Sequence, residues 1–124
     1  MKFHISSPQL QRLFRVVAWL LAMAIILLSI GPASTRPVTG AGHNLEHLLI
    51  FLAMGGAFGL GYPRRFTLLP IAMLAFSAAI EIVQVLVPGR HARVSDFLTD
   101  AAASCVGVAI SFLVVKLTTA ITKG

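Results

Sequence analysis

The sequence predicts an all-α polytopic membrane protein, a compact bundle of four transmembrane helices in one domain. Three observations carry this prediction. Of 124 residues, 57% are hydrophobic and only 11% are charged, and mean hydropathy is +0.90. A soluble domain of this length would need far more polar surface. The apolar residues fall into four runs, each close to the ~20 residues needed to cross the hydrocarbon layer. Proline and arginine collect at or between the ends of those runs.

Residues 1–12 form a basic tail containing Lys2, His4 and Arg12, suited to an anionic membrane surface. The first segment runs from about Leu13 to Ile30 and is followed by the loop GPASTRPVTGAG. An alternative is a cleaved signal peptide, but Pro32 spoils the small-residue cleavage pattern. The second segment runs from about Asn44 to Tyr62, where Pro63-Arg64-Arg65 breaks it. The third covers about Phe66 to Val87, with Pro70 in its first turn, where proline is tolerated. Pro88-Gly89 stops it, and Arg90-His91-Ala92-Arg93 leads into the fourth segment, about Val94 to Leu117. The transmembrane domain is thus 13–117, and 118–124 form a C-terminal tail.

Counting Lys and Arg sets the orientation. With the N-terminus inside, Lys2, Arg12, Arg15, Arg64, Arg65, Lys116 and Lys123 are cytoplasmic, while Arg36, Arg90 and Arg93 are outside. The positive-inside rule favours this arrangement, with both termini cytoplasmic in a bacterial inner membrane. The net charge of +6 therefore records topology. Nucleic-acid binding is not expected, because no basic stripe or aromatic platform accompanies the charge. The single Cys105 excludes an internal disulfide and, among Ala102, Ala103, Ser104 and Val106, reads as a small packing residue.

Glu46, Glu81, Asp96 and Asp100 are the only acidic residues, and each lies inside or against an apolar run. A carboxylate at the centre of a membrane helix costs about 2.5–3.5 kcal/mol on insertion scales, so it calls for a partner or a task. The predicted topology brings all four to the outer side. Glu46 and His47 open segment two, Asp96 and Asp100 open segment four as an i,i+4 pair, and Glu81 lies about 9 Å below the end of segment three. Gln84 stands one turn above Glu81.

The run His47, Glu81-Ile82-Val83-Gln84, Pro88-Gly89-Arg90, Ser95-Asp96-Phe97, Asp100 and Gly107 resembles the VanZ-like family of small bacterial membrane proteins. The resemblance spans about residues 43–112. Two positions depart from the family pattern: His43-Asn44 replaces the common Asp-Lys, and Asp100 replaces the frequent Asn. The resemblance implies a four-helix envelope protein, in a family whose founding member is associated with teicoplanin resistance. It names a kind of protein rather than a reaction.

Each candidate has a functional and a plainly structural reading. Glu81 either faces a cavity open to the outer side, where it binds a cation or polar headgroup or moves a proton, or pairs with Arg90 or His47 to lock helices together. Arg90 suits a bidentate grip on phosphate or carboxylate, or else balances Asp96 or Glu81. Asp96 fits a helix-start residue, whereas Asp100 lies too deep for capping. Gln84 fits an interhelical hydrogen bond. His43-Asn44-Leu45-Glu46-His47 spells H-x-x-E-H, so a metal held by His43 and His47 with Glu81 or Asp100 is a further alternative. No cofactor is expected. Neither G-x-S-x-G nor a P-loop is present.

Gly55 and Gly59, and Ala103 with Gly107, give small-xxx-small spacings. They suit packing within the bundle, with a homodimer face as the alternative. The leading functional expectation is recognition of an envelope component, such as a lipid-linked cell-wall precursor or glycan, by Glu46, His47, Glu81, Gln84, Arg90, Asp96 and Asp100. The alternatives are an enzyme using Glu81 and His47 as acid and base, and a purely structural or assembly protein.

Overall fold

A computed structural model describes residues 7–30, 43–86 and 94–123. They form four helices: α1 (Pro8–Ile30), α2 (His43–Gly61), α3 (Leu68–Leu86) and α4 (Val94–Lys123). Helix α1 starts five residues before the predicted segment. Ser7 caps it, accepting a hydrogen bond from the Leu10 N–H at 3.3 Å on its hydroxyl, and Pro8 fills the first helical position. A Ser-Pro pair favours such a start, because proline's missing N–H is one the helix cannot bond anyway. Helix α2 ends at Gly61, and residues 62–67 turn the chain through bonds from Arg65 N to Tyr62 O and from Leu68 N to Arg65 O, both 3.0 Å.

Contacts between helices fix their directions. Arg15 on α1 reaches Gly61 at the end of α2, so these two run antiparallel. Gly55 and Gly59 on α2 meet Ser104 and Ser111 on α4, so α2 and α4 run parallel. Cys105 on α4 lies beside Pro70 on α3, which makes that pair antiparallel. The closest packing is α2 on α4. Helix α3 packs chiefly on α4, and α1 chiefly on α2.

Helix α1 is built small-inside and large-outside. The inward face of α1 carries Ala18, Ala22, Ile25 and Ser29, whereas Trp19, Leu20, Met23 and Leu27 point out. Lipid tails are as apolar as leucine, so large side chains lose nothing by facing them, and small ones inside let backbones approach.

Among the described residues, three helices contain stretches long and apolar enough to cross a membrane: Pro8–Ile30, Leu68–Leu86 and Phe97–Ile121. Helix α2 has 19 residues, roughly 28 Å at 1.5 Å per residue, and Leu48–Gly61 is its apolar stretch among the described residues. Helix α2 is sheltered by α1 and α4, with Phe51, Met54, Ala57 and Phe58 buried, so its polar first turn need not be lipid-compatible.

The α2–α4 contact uses the glycines the spacing singled out. A Cβ at Gly55 would run into the Ser104 carbonyl, and one at Gly107 would strike the Leu52 carbonyl. Ser111 Oγ donates to the carbonyl of Gly56 across the interface at 2.6 Å and to that of Gly107 at 3.0 Å. The α4 surface that meets these glycines carries Ser104, Gly107 and Ser111, and Ala103 is buried beside it. The Gly55/Gly59 face is occupied by α4 and does not present to a second copy.

Candidate functional site

On α3 the buried residues are Leu69, Met73, Ser77, Ile80, Glu81 and Gln84. These positions share one helical face, and that face turns from apolar to polar towards the C-terminal end. On α4, Asp100, Ser104 and Ser111 are buried. Burial is complete at Ser77, Asp100 and Ser104, each 0% exposed, while Glu81 and Gln84 retain 8% and 6%.

Depth follows from the helix directions. With Pro70 and Cys105 taken as one level, Asp100 lies roughly 7 Å above it, Ser77 roughly 10 Å, Glu81 roughly 16 Å and Gln84 roughly 21 Å. The parallel register of α2 on α4 sets Glu46 at roughly 13 Å. The four helices thus bring Ser29, Glu46, Ser77, Glu81, Gln84, Asp96 and Asp100 to one end of the bundle, though spread over two to three helical turns rather than held at one depth.

The hydroxyls differ in how they are satisfied. Ser104 Oγ donates to its own helix, to the carbonyls of Asp100 at 2.9 Å and Ala101 at 3.1 Å. Ser77 Oγ is buried without a hydrogen-bond partner among the described residues. Leaving a buried hydroxyl unsatisfied costs about 1–3 kcal/mol. Glu46, Glu81 and Asp100 each take part in a polar interaction.

Several predicted site residues fall at the margin of the structure. Arg90, with His91 and Arg93, lies outside the described residues. His43, His47 and Asp96 sit on α2 and α4, but their side chains also lie outside the description. Among the described residues no three His, Cys, Asp or Glu side chains gather as a metal site would require; the side chains of His43 and His47 are not among them. Ser29, Ser77, Ser104 and Ser111 were not singled out by the sequence. The one available signal, serine within an apolar run, does not distinguish a self-bonded hydroxyl from an unsatisfied one.

The opposite end is cationic, with Arg12, Arg15, Arg64, Arg65 and Lys116. Arg15 Nε donates to the Gly61 carbonyl at 2.7 Å, capping the C-terminus of α2 where positive charge is favoured. Its guanidinium also stands 4.6 Å from the centre of the Tyr62 ring, and Trp19 Nε1 donates to the Tyr62 hydroxyl at 3.0 Å.

The chain was compared with known families, proteins and structures. A family model described as VanZ/LLP1 matches residues 3–115, nearly the whole chain. No curated protein and no solved structure matches it.

Proposed function

This chain belongs to the VanZ/LLP1 family, and from that premise we propose that its acidic end binds the polar head of a cell-envelope component. In this reading the protein spans the bacterial inner membrane four times with both termini cytoplasmic, and the acidic end opens to the outer leaflet. The ligand class is a lipid-linked cell-wall precursor or glycan, rich in hydroxyl and amide donors.

The observation that carries the reading is a set of buried polar side chains at one end: Asp100 and Ser77 fully enclosed, Glu81 and Gln84 nearly so. Carboxylates accept hydrogen bonds, so Glu81 and Asp100 take hydroxyl or amide donors. Ser77 and Gln84 supply both donor and acceptor capacity. Glu46 and Asp96, in the first turns of α2 and α4, add two further carboxylates to this end. Arg90, on the loop between α3 and α4, grips a phosphate or carboxylate of the same ligand, and His47 orients it or exchanges a proton.

Native mass spectrometry of the protein released from membranes tests this, with Asp100→Asn, Glu81→Gln and Arg90→Ala beside the wild type. Each variant is first checked for helicity and Trp19 fluorescence. The expected result is a discrete bound glycolipid or glycan on the wild type, lost in folded Arg90→Ala and weakened in Asp100→Asn. A wild type that carries nothing, with variants impaired only in stability, refutes the binding reading and leaves these side chains as structural polar groups. A link to glycopeptide tolerance belongs to the same proposal. A strain lacking the gene is then expected to show altered teicoplanin susceptibility, restored by wild type and not by Arg90→Ala.

A further inference from the structure

On the side of the bundle where α1 and α3 face each other, a groove of about 540 Å³ opens towards the cationic end and runs up between the two helices. That volume is in the range of roughly 300–1,000 Å³ typical of small-molecule sites. Met23 and Ile26 of α1 form one wall, Ala72 and Phe76 of α3 the other, and Phe58 of α2 the floor. The groove's mouth is different in character, with Trp19, Tyr62 and Arg65. Arg65 is exposed, and its neighbour Arg64 is exposed beside it. All four acidic residues of the chain, Glu46, Glu81, Asp96 and Asp100, belong to the other end. No Asp or Glu is therefore at hand to neutralise Arg65.

We propose that this groove holds an acyl chain of an anionic glycerophospholipid, with Arg65 binding its phosphate. The apolar walls match a hydrocarbon tail, and the charge at the mouth matches a phosphate. A guanidinium binds phosphate through two parallel N–H donors. Tyr62 adds a donor. Its oxygen accepts from Trp19 Nε1, so its own O–H is left to donate to a headgroup oxygen. Trp19 and Tyr62 also place the mouth at headgroup depth, the level at which these two side chains collect in membrane proteins. Basic residues in this position draw anionic lipids by about 1 kcal/mol each through the surface potential alone. The groove adds shape to that attraction, so one lipid is retained in place of a diffuse shell. Its lining shares no residue with the acidic end.

The full chain is reconstituted in vesicles of phosphatidylcholine alone and of phosphatidylcholine mixed with phosphatidylglycerol, then released for native mass spectrometry. Wild type is expected to retain one phosphatidylglycerol per chain in preference to phosphatidylcholine. Arg65→Gln is expected to lose that preference about tenfold, the equivalent of about 1.4 kcal/mol. Ala72→Phe fills the groove from an exposed position, so it leaves the core intact and is expected to abolish retention of either lipid. Ile82→Ala, at an exposed position near the far end of α3, is expected to leave phosphatidylglycerol retention unchanged. Equal retention of both lipids by wild type overturns the proposal. So does a folded Ala72→Phe variant that still holds phosphatidylglycerol.

Discussion

Replacing Gly55 with alanine tests the tight α2–α4 contact, and its neighbour supplies the control. The added methyl at position 55 meets the backbone of Ser104, carbonyl oxygen and Cα alike. Backbone cannot rotate out of the way as a side-chain end can, so the two helices must part. Overpacking of this kind costs about 1–3 kcal/mol. Parting the helices also stretches the bond from Ser111 Oγ to the Gly56 carbonyl, now 2.6 Å, and interhelical bonds of this kind average about 0.6 kcal/mol with a maximum of about 1.7. Alanine returns up to ~1 kcal/mol in helix propensity. The net loss is about 1–3 kcal/mol.

At position 56 the arithmetic reverses. A methyl there lies 3.7 Å from Ser111 Oγ and 3.8 Å from the Gly107 carbonyl, ordinary contact distances. Gly56→Ala therefore keeps the propensity gain without the clash and is expected to be neutral or up to ~1 kcal/mol more stable. Unfolding in mixed micelles with a rising fraction of sodium dodecyl sulfate, followed through the single tryptophan, Trp19, gives the comparison. The expected order is Gly56→Ala at or above wild type, and Gly55→Ala clearly below. Gly107→Ala strikes Leu52 and Gly56 from the other helix and should fall with Gly55→Ala. The two together should cost less than their sum, since one separation relieves both clashes. If Gly55→Ala matches Gly56→Ala in stability, the close parallel packing of α2 on α4 is wrong.

Arg15→Gln removes the charged cap on Gly61 and the contact with the Tyr62 ring; the expected loss in the same unfolding assay is about 1.5–3 kcal/mol, the range for hydrogen bonds to charged groups. Unchanged stability would mean that water caps α2 equally well. Ser111→Ala is expected to lose about 0.6–1.7 kcal/mol through the bond to Gly56, and no measurable loss would show that this bond contributes nothing. For the orientation, alkaline phosphatase fused after Gly42 or Arg90 is expected to be active and after Arg65 silent. An active fusion after Arg65 would place the arginine-rich end outside and remove the outer-leaflet argument.

Much of the architecture is legible in the sequence because lipid simplifies the code. Long apolar runs separated by proline and arginine can only be helices where no water satisfies the backbone. Four acids in 124 residues likewise stand out against an apolar background, which is why Glu81 and Asp100 were identifiable before their burial was known. Two things were not legible. The start of α1 at Ser7-Pro8 was masked by the polar residues Gln9, Gln11 and Arg12 that follow. Ser104 was missed as the partner of Gly55 because small-residue spacing gives a helix's own stripe and not the register of the helix laid against it.

The distribution of packing has a consequence for the acidic end. Helices α2 and α4 are fastened by glycine contacts that leave no slack, so Glu46, Asp96 and Asp100 hang from one rigid pair. Glu81 and Gln84 belong to α3, which packs on α4 without comparable glycine contacts and touches α2 only lightly. A ligand that binds Asp100 and Glu81 together therefore bridges the tight pair to the more loosely packed helix, and part of its binding free energy should appear as stabilisation of the α3–α4 contact. Whatever binds only the folded bundle raises its stability by mass action. Asp100→Asn should then lower the stabilisation conferred by ligand while leaving the empty protein nearly as stable. Gly55→Ala should do the opposite, weakening the empty protein and sparing the increment from ligand. If the two variants fail alike in both respects, the acidic end and the glycine contact are one structural unit, and no separate site exists between α3 and α4.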